Sequence, residues 1–248
     1  MDKLLLDLSS ISDLVYYDQN YIDFCLKYFK NENVDLINTN KFEIITLYEF
    51  LSHKEIFKNI SNHPKLFHSD ETDAQMYMFN YKNTCTFGFR GTDSLKDILI
   101  DLAMWREVFS EVSDEILVHS GIYSQFKSLK KYIDENIFGT NIIVTGHSLG
   151  GGIATLVSLY LAKKGYTVSC YTYGSPRVGN SQFCKLFNSS NITSVRIVND
   201  MDPVPSLPWA IRFQHVDGIV WLDNDKIHKI RRRVPFFKYF KRFFYSLF

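Results

Sequence analysis

The sequence predicts an α/β fold in which a mostly parallel central sheet is flanked by helices, and three observations carry that prediction. Beyond Gly139, short apolar β-branched runs alternate with a helical stretch: Asn141–Thr145, Ile153–Lys163, Thr167–Tyr173 and Ser194–Val198. Strand–helix–strand order at these lengths belongs to parallel strands joined by crossover helices. The glycines Gly146, Gly150, Gly151 and Gly152 crowd the junction between the first of these strands and the helix, where two backbones must pass close together. Finally, 248 residues with 46% hydrophobic and 16% aromatic content are enough for one sizeable core and too few for two. Residues 1–248 are therefore read as a single domain.

Taken in order, residues 1–70 read as a helical portion. Leu14, Val15, Ile22, Phe24, Leu26 and Phe29 suggest helix from Leu4 to about Lys30, and a second helical stretch falls near Leu47–Ile60. Met76–Tyr81 and Thr84–Phe89, parted by Lys82 and Asn83, read as a hairpin. Ser94–Phe109 carries Leu95, Ile98, Leu99 and Leu102 at helical spacing, and Gly121–Ile133 forms a further helix. Gly165 ends the helix Ile153–Lys163. After Pro203 and Pro205 comes a second hairpin, Ile219–Leu222 and Lys226–Ile230.

The net charge of +1 conceals an asymmetry. Residues 1–225 hold 20 basic and all 27 acidic residues, a net −7, whereas residues 226–248 hold eight basic and no acidic ones. In that closing stretch Pro235 suits the first position of a helix, and Phe236, Phe237, Phe240, Phe243, Phe244, Leu247 and Phe248 fall on one face of it. Lys238, Lys241 and Arg242 fall on the other. Residues 235–248 thus form a basic, aromatic, amphipathic tail, read either as a helix lying in an anionic membrane surface or as a terminal helix docked on the sheet. Nucleic acid is a poor match, because no recognition fold accompanies the charge.

Cys25, Cys85, Cys170 and Cys184 are scattered without metal-ligand spacing and read as free buried thiols. Asp2 and Asp7 interrupt the apolar amino-terminal run, so it does not read as a signal peptide. No run reaches the roughly eighteen apolar residues that a membrane-spanning helix needs. A cytoplasmic location, with peripheral membrane association through the tail, is the expectation these features set. No metal or other cofactor is implied.

Chemistry concentrates at Gly146-His147-Ser148-Leu149-Gly150, a G-x-S-x-G sequence with an apolar strand before it and a helix after it. That context puts the serine on a strained strand-to-helix turn, its hydroxyl beyond the sheet edge and the helix amino terminus beside it. Ester or amide chemistry at Ser148 follows. The chain here resembles the class 3 (fungal-type) lipase family in four segments: Phe89–Ser94, Gly146–Gly152, Tyr173–Asn180 and Asn199–Pro205. The resemblance implies an α/β-hydrolase fold, a Ser–His–Asp triad and fatty-acyl esters of lipids as substrates. It assigns the oxyanion donors to Thr92 and Leu149 and the triad acid to Asp202, which Pro203 holds extended.

The base is the position on which the sequence is least explicit. Triad order on such a fold is serine, acid, histidine, and only His215 and His228 follow Asp202. His215 matches a non-catalytic histidine of the family, and His228 alternates with Ile227 and Ile230 in a strand. In the family the base lies on a later loop than either, so the choice stays among His228, His215 and a group outside this sequence. Ser94–Phe109 stands where the family carries an amphipathic lid, and its pattern fits a lid and a core-packing helix equally. Three functions remain open at this point: a serine hydrolase of lipid esters, an acyltransferase with the same residues, and a membrane-binding protein on a hydrolase scaffold without a working base.

Overall fold

Alternation sets the sheet. In β3 (Thr84–Phe89), Cys85, Phe87 and Phe89 face one side, and in β6 (Asn141–His147) Ile142 and Val144 do the same. The residues between them face the other way, so both faces of the sheet demand cover. The computed structural model describes residues 3–17, 56–61, 64–91, 105–223 and 226–229. Within them β1 (Lys65–His68), β2 (Gln75–Tyr81), β3, β6, β7 (Thr167–Tyr173), β8 (Ile192–Asn199), β9 (Ile219–Asp223) and β10 (Lys226–Lys229) form one sheet in the order β1-β2-β3-β6-β7-β8-β9-β10. The five strands β3, β6, β7, β8 and β9 run parallel, and antiparallel pairs close both ends.

One face is covered by α2 (Ser120–Asn136), α3 (Leu149–Lys163) and α4 (Ser181–Ser189). Helix α3 is buried from Leu149 to Leu161, and its two internal hydroxyls are satisfied locally: Thr155 donates to the Gly151 carbonyl at 2.8 Å and Ser158 to that of Ala154 at 2.7 Å. The opposite face is covered by α1 (Lys3–Leu14), whose Leu8, Ile11 and Leu14 pack with Phe57, Tyr77, Phe79 and Tyr171. A buried hydroxyl pair, Ser12 and Thr145 at 2.6 Å, ties α1 to β6. At the end of this face the Tyr81 hydroxyl donates to the buried Asp7 carboxylate at 2.5 Å. Burial and that anion together push the Tyr81 pKa well up.

Several expectations need adjustment. Only Lys3–Leu14 of the first expected helix and residues 56–59 of the second are helical within the described residues; residues 15–17 form a turn, Ile60 makes a β-bridge to Tyr81, and the rest lies outside the described residues. The expected helix Ser94–Phe109 is corrected at its end, where Arg106–Val108 is strand β4, paired with β5 (Leu117–His119) in a small separate sheet. Helical spacing misled there because Trp105 is exposed while Phe109 is fully buried, so the two share no face. Helix α3 starts at Leu149 rather than Ile153, since its glycines sit inside the first turn. Strand β1 and helix α4 were not expected; the cap of α4, Asn180 accepting from the Phe183 amide at 2.9 Å, is a legible signal for it. Cys85, Cys170 and Cys184 are buried, as expected, and Cys25 lies outside the described residues.

The backbones of β3 and α3 pass very close at Gly150, where a Cβ would collide with the Phe89 carbonyl oxygen and stand 2.8 Å from the Arg90 carbonyl carbon. Both obstacles are main chain and neither can rotate away. Gly150→Ala is therefore expected to lower unfolding free energy in urea by at least about 2 kcal/mol, the cost of forcing a methyl into a filled space. A change within error would show that α3 has room to shift.

Candidate active site

Strand β6 and helix α3 meet at Ser148, whose φ of 54° and ψ of −126° lie in a sparsely populated region for any residue with a Cβ. Holding it there costs on the order of 1–3 kcal/mol, repaid by the packing of α3. At Gly146 a Cβ would stand 2.8 Å from the Gly151 nitrogen. The turn is thus possible only with glycine on both sides of Ser148. Ser148 is 2% exposed, and its hydroxyl has no hydrogen-bond partner among the described residues. Next to it the Leu149 amide opens α3 and is one of the N–H groups that a helix cannot pair internally.

Asp202 follows β8 and comes to the same edge of the sheet. One carboxylate oxygen accepts the Val204 amide at 2.9 Å, a turn role. The other lies over Gly174, at the end of β7, so closely that a Cβ on Gly174 would collide with it. The Nε2 of His147 lies 3.7 Å from that same Cβ position. On its other edge the His147 ring meets the Tyr16 hydroxyl, 3.0 Å from Nδ1, and that hydroxyl accepts the Gly91 amide at 3.2 Å. His147 keeps part of its surface in solvent, yet loss of hydration by the ring lowers its pKa against the opposing pull of Asp202 and then Asp13.

Behind Asp202 the loop is clamped from below. Arg177 donates through Nη1 to the carbonyls of Ser206 and Pro208. Arg196 donates through Nε to the Val216 carbonyl at 2.9 Å and through Nη1 to His215 Nδ1, also at 2.9 Å. A guanidinium only donates, so Nδ1 of His215 is an acceptor and its proton sits on Nε2, which reaches the Pro205 carbonyl at 2.7 Å. Both ring nitrogens are occupied, which removes His215 from any proton transfer at Ser148. His228 lies on β10, paired with Trp221, four strand positions from β6. At about 4.8 Å per strand that separation is roughly 19 Å, beyond the reach of an imidazole.

The structure thus brings Ser148, Leu149 and Asp202 to one end of the parallel strands. Thr92, most of the expected lid segment and the tail 235–248 lie outside the described residues. Sequence reading missed Tyr16 as a neighbour of the site and its contact with His147, because only tertiary structure carries α1 across the sheet to the elbow. It also missed Arg177 and Arg196, although each stands in a strand or loop where a charge needs a partner. Among the described residues, no group of three or more His, Cys, Asp or Glu side chains is placed to hold a metal ion.

A parallel sheet covered on both faces, with a serine at positive φ between strand and helix, defines an α/β-hydrolase. The chain belongs to the class 3 lipase family, whose model, Lipase (class 3), matches residues 86–211. Secreted mono- and diacylglycerol lipase 1 of Fusarium solani is 42% identical over 88 residues, covering 35% of this chain and 26% of its own. Secreted mono- and diacylglycerol lipase A of Penicillium cyclopium is 32% identical over 164 residues, covering 62% of this chain and 53% of its own. This chain therefore spans about half, or less, of the length of these curated relatives. Lipase II from Rhizopus niveus aligns in structure with a TM-score of 0.64, covering 94% of this chain and 86% of its own at 21% identity, which is a likeness of fold.

These relatives overturn the expected cytoplasmic location, since those from Fusarium solani and Penicillium are secreted proteins. The thiols misled because Cys85, Cys170 and Cys184 are buried, and a thiol without access to solvent is inert in either redox compartment.

His215 supplies a pH test. Burial, followed by Arg196 and Arg177, holds its pKa well below the ordinary value of 6.5. The unfolded chain therefore binds a proton that the folded one refuses, and stability is complete above about pH 6.5 and lost as pH falls below it. His215→Gln should lower stability at pH 7.5 yet weaken the decline between pH 6.5 and 5, measured as urea midpoints. An unchanged slope would mean that other groups carry the acid sensitivity.

Proposed function

We propose that this protein is a serine hydrolase that cleaves fatty-acyl esters of lipids through an acyl-enzyme on Ser148. The observation that carries the reading is the strained backbone at Ser148, which sets a hydroxyl beside the first amide of α3. The Ser148 oxygen attacks the ester carbonyl and the carbonyl oxygen gains negative charge, met by the amide of Leu149 and by Thr92. By the family's triad pattern, a base oriented by Asp202, a role that His147, His215 and His228 do not fill, takes the serine proton and passes it to the leaving alcohol as the ester C–O bond breaks. Water then attacks the acyl-serine, and the fatty acid leaves.

Lipid as the substrate class is supported by the family and by the edge of the site. Met201, Trp209 and Ile211, in the loop that contains and follows Asp202, are 71%, 58% and 91% exposed, and Trp105 is 76% exposed. Large apolar side chains held in water suit contact with an apolar substrate phase. The basic tail, residues 235–248, is proposed to add attraction to an anionic surface, each Lys or Arg near head groups being worth about 1 kcal/mol.

Ser148→Ala should abolish hydrolysis of a short-chain acyl ester and of a monoacylglycerol while leaving the circular dichroism spectrum unchanged, since the turn depends on its glycines. Residual turnover at the wild-type rate would refute the nucleophile. Thr92→Val should lower kcat about 10²- to 10³-fold if the hydroxyl donates to the oxyanion. Vesicle sedimentation checks the tail: deletion of 235–248, or high salt with the intact chain, should weaken binding to anionic vesicles. Binding indifferent to salt would exclude an electrostatic role.

A further inference from the structure

Helix α1 precedes the region matched by the family model, yet it delivers a side chain to the proposed site. Just past its end, Tyr16 places its hydroxyl between two groups that flank Ser148. It accepts the Gly91 amide at 3.2 Å, on the turn leading to Thr92, and it lies 3.0 Å from His147 Nδ1. Gly91 is itself wedged against the elbow: a Cβ there would stand 2.6 Å from the Tyr16 oxygen, 2.7 Å from the His147 carbonyl oxygen and 3.3 Å from the Ser148 Cβ. No side chain larger than hydrogen leaves room for the phenol.

The proton on the His147 ring is assigned by its surroundings. Its Nε2 and an Asp202 carboxylate oxygen both lie against the Cβ position of Gly174, Nε2 at 3.7 Å, and a nearby carboxylate favours a donor over a lone pair there. With the proton on Nε2, Nδ1 becomes an acceptor and Tyr16 donates to it while accepting from Gly91. One phenol thereby spans the turn before the oxyanion residue and the imidazole beside the acid. Resting on the serine-hydrolase reading above, we propose that Tyr16 and His147 are positioning residues for the reaction at Ser148. Their relay, Gly91 amide to Tyr16 hydroxyl to His147 imidazole, fixes the oxyanion turn and presents an N–H edge to Asp202. His147 does not replace the catalytic base, because Nδ1 is occupied by Tyr16 and Nε2 is turned to Asp202.

The test uses the full chain with Tyr16→Phe, His147→Gln, His147→Leu and the double variant Tyr16→Phe/His147→Leu, assayed for kcat and KM on a soluble acyl ester and for phosphonylation by a fluorophosphonate. Tyr16→Phe and His147→Leu should each lower kcat and the labelling rate about tenfold with KM little changed, the scale of one hydrogen bond. The double variant should be no worse than the poorer single one, since both break the same relay. Glutamine, which both accepts and donates, should restore His147 activity to within about threefold of wild type. Wild-type kcat in either single variant, effects that multiply in the double, or glutamine as poor as leucine would overturn the relay. Nitrogen-15 spectra of labelled histidine provide a reading independent of turnover: Nε2 protonated and Nδ1 bare is expected at pH 7.5, and the opposite tautomer contradicts the inference. Wild-type protein that neither turns over nor labels would instead count against the serine-hydrolase reading itself.

Discussion

The contact between the Gly150 backbone and the end of β3 is the constraint on which the rest of the site depends. No side chain fits between them, so α3 is drawn against Phe89 and Arg90 while its first residue follows directly from β6. The chain can make that reversal only by passing Ser148 through positive φ. A backbone strain of on the order of 1–3 kcal/mol is tolerable because α3 is buried along nearly its whole length and cannot relax outward. The hydroxyl is left at the strand ends, near an amide with no helical partner. Geometry, charge and access at the proposed site all follow from this one close approach.

A second layer of constraint holds Asp202, the proposed acid. The loop after β8 departs from regular structure, and such a loop needs its carbonyls satisfied if it is to stay in one place. Arg177, Arg196 and His215 do this from beneath, using donors that meet the carbonyls of Pro205, Ser206, Pro208 and Val216. Burial first, and then the two guanidiniums, keep His215 neutral, and its neutrality lets it accept from one of them. Asp202 then needs only its own turn, through the Val204 amide, to face Gly174.

Much of this was legible in the sequence, and the reasons differ by region. From Asn141 to Val198 the β-branched runs and the glycine cluster report local backbone demands, so strands β6, β7 and β8, helix α3 and the position of Ser148 could be read directly. Asp202 was reached through the resemblance of Asn199–Pro205 to the lipase family, with Pro203 restricting the backbone of the residue before it. Tertiary pairings were not. Strand β4 reads as helix because its pairing with β5 is invisible to spacing, and α4 is too short for periodicity to emerge. Tyr16 and His147 lie 131 positions apart, and nothing local to either residue announces the hydrogen bond between them. Compartment was misread for a related reason: a thiol's chemistry depends on burial, and the number of cysteines does not report it.

The central claim is that the turn at Ser148 presents a nucleophile to an oxyanion pocket opened by helix α3. A crystal structure of the adduct formed with an alkyl fluorophosphonate tests this most directly. The account predicts phosphorus bonded to the Ser148 oxygen, with the phosphoryl oxygen about 2.7–3.1 Å from the Leu149 amide and facing Thr92. An unmodified Ser148, or a phosphoryl oxygen turned away from the start of α3, would contradict it.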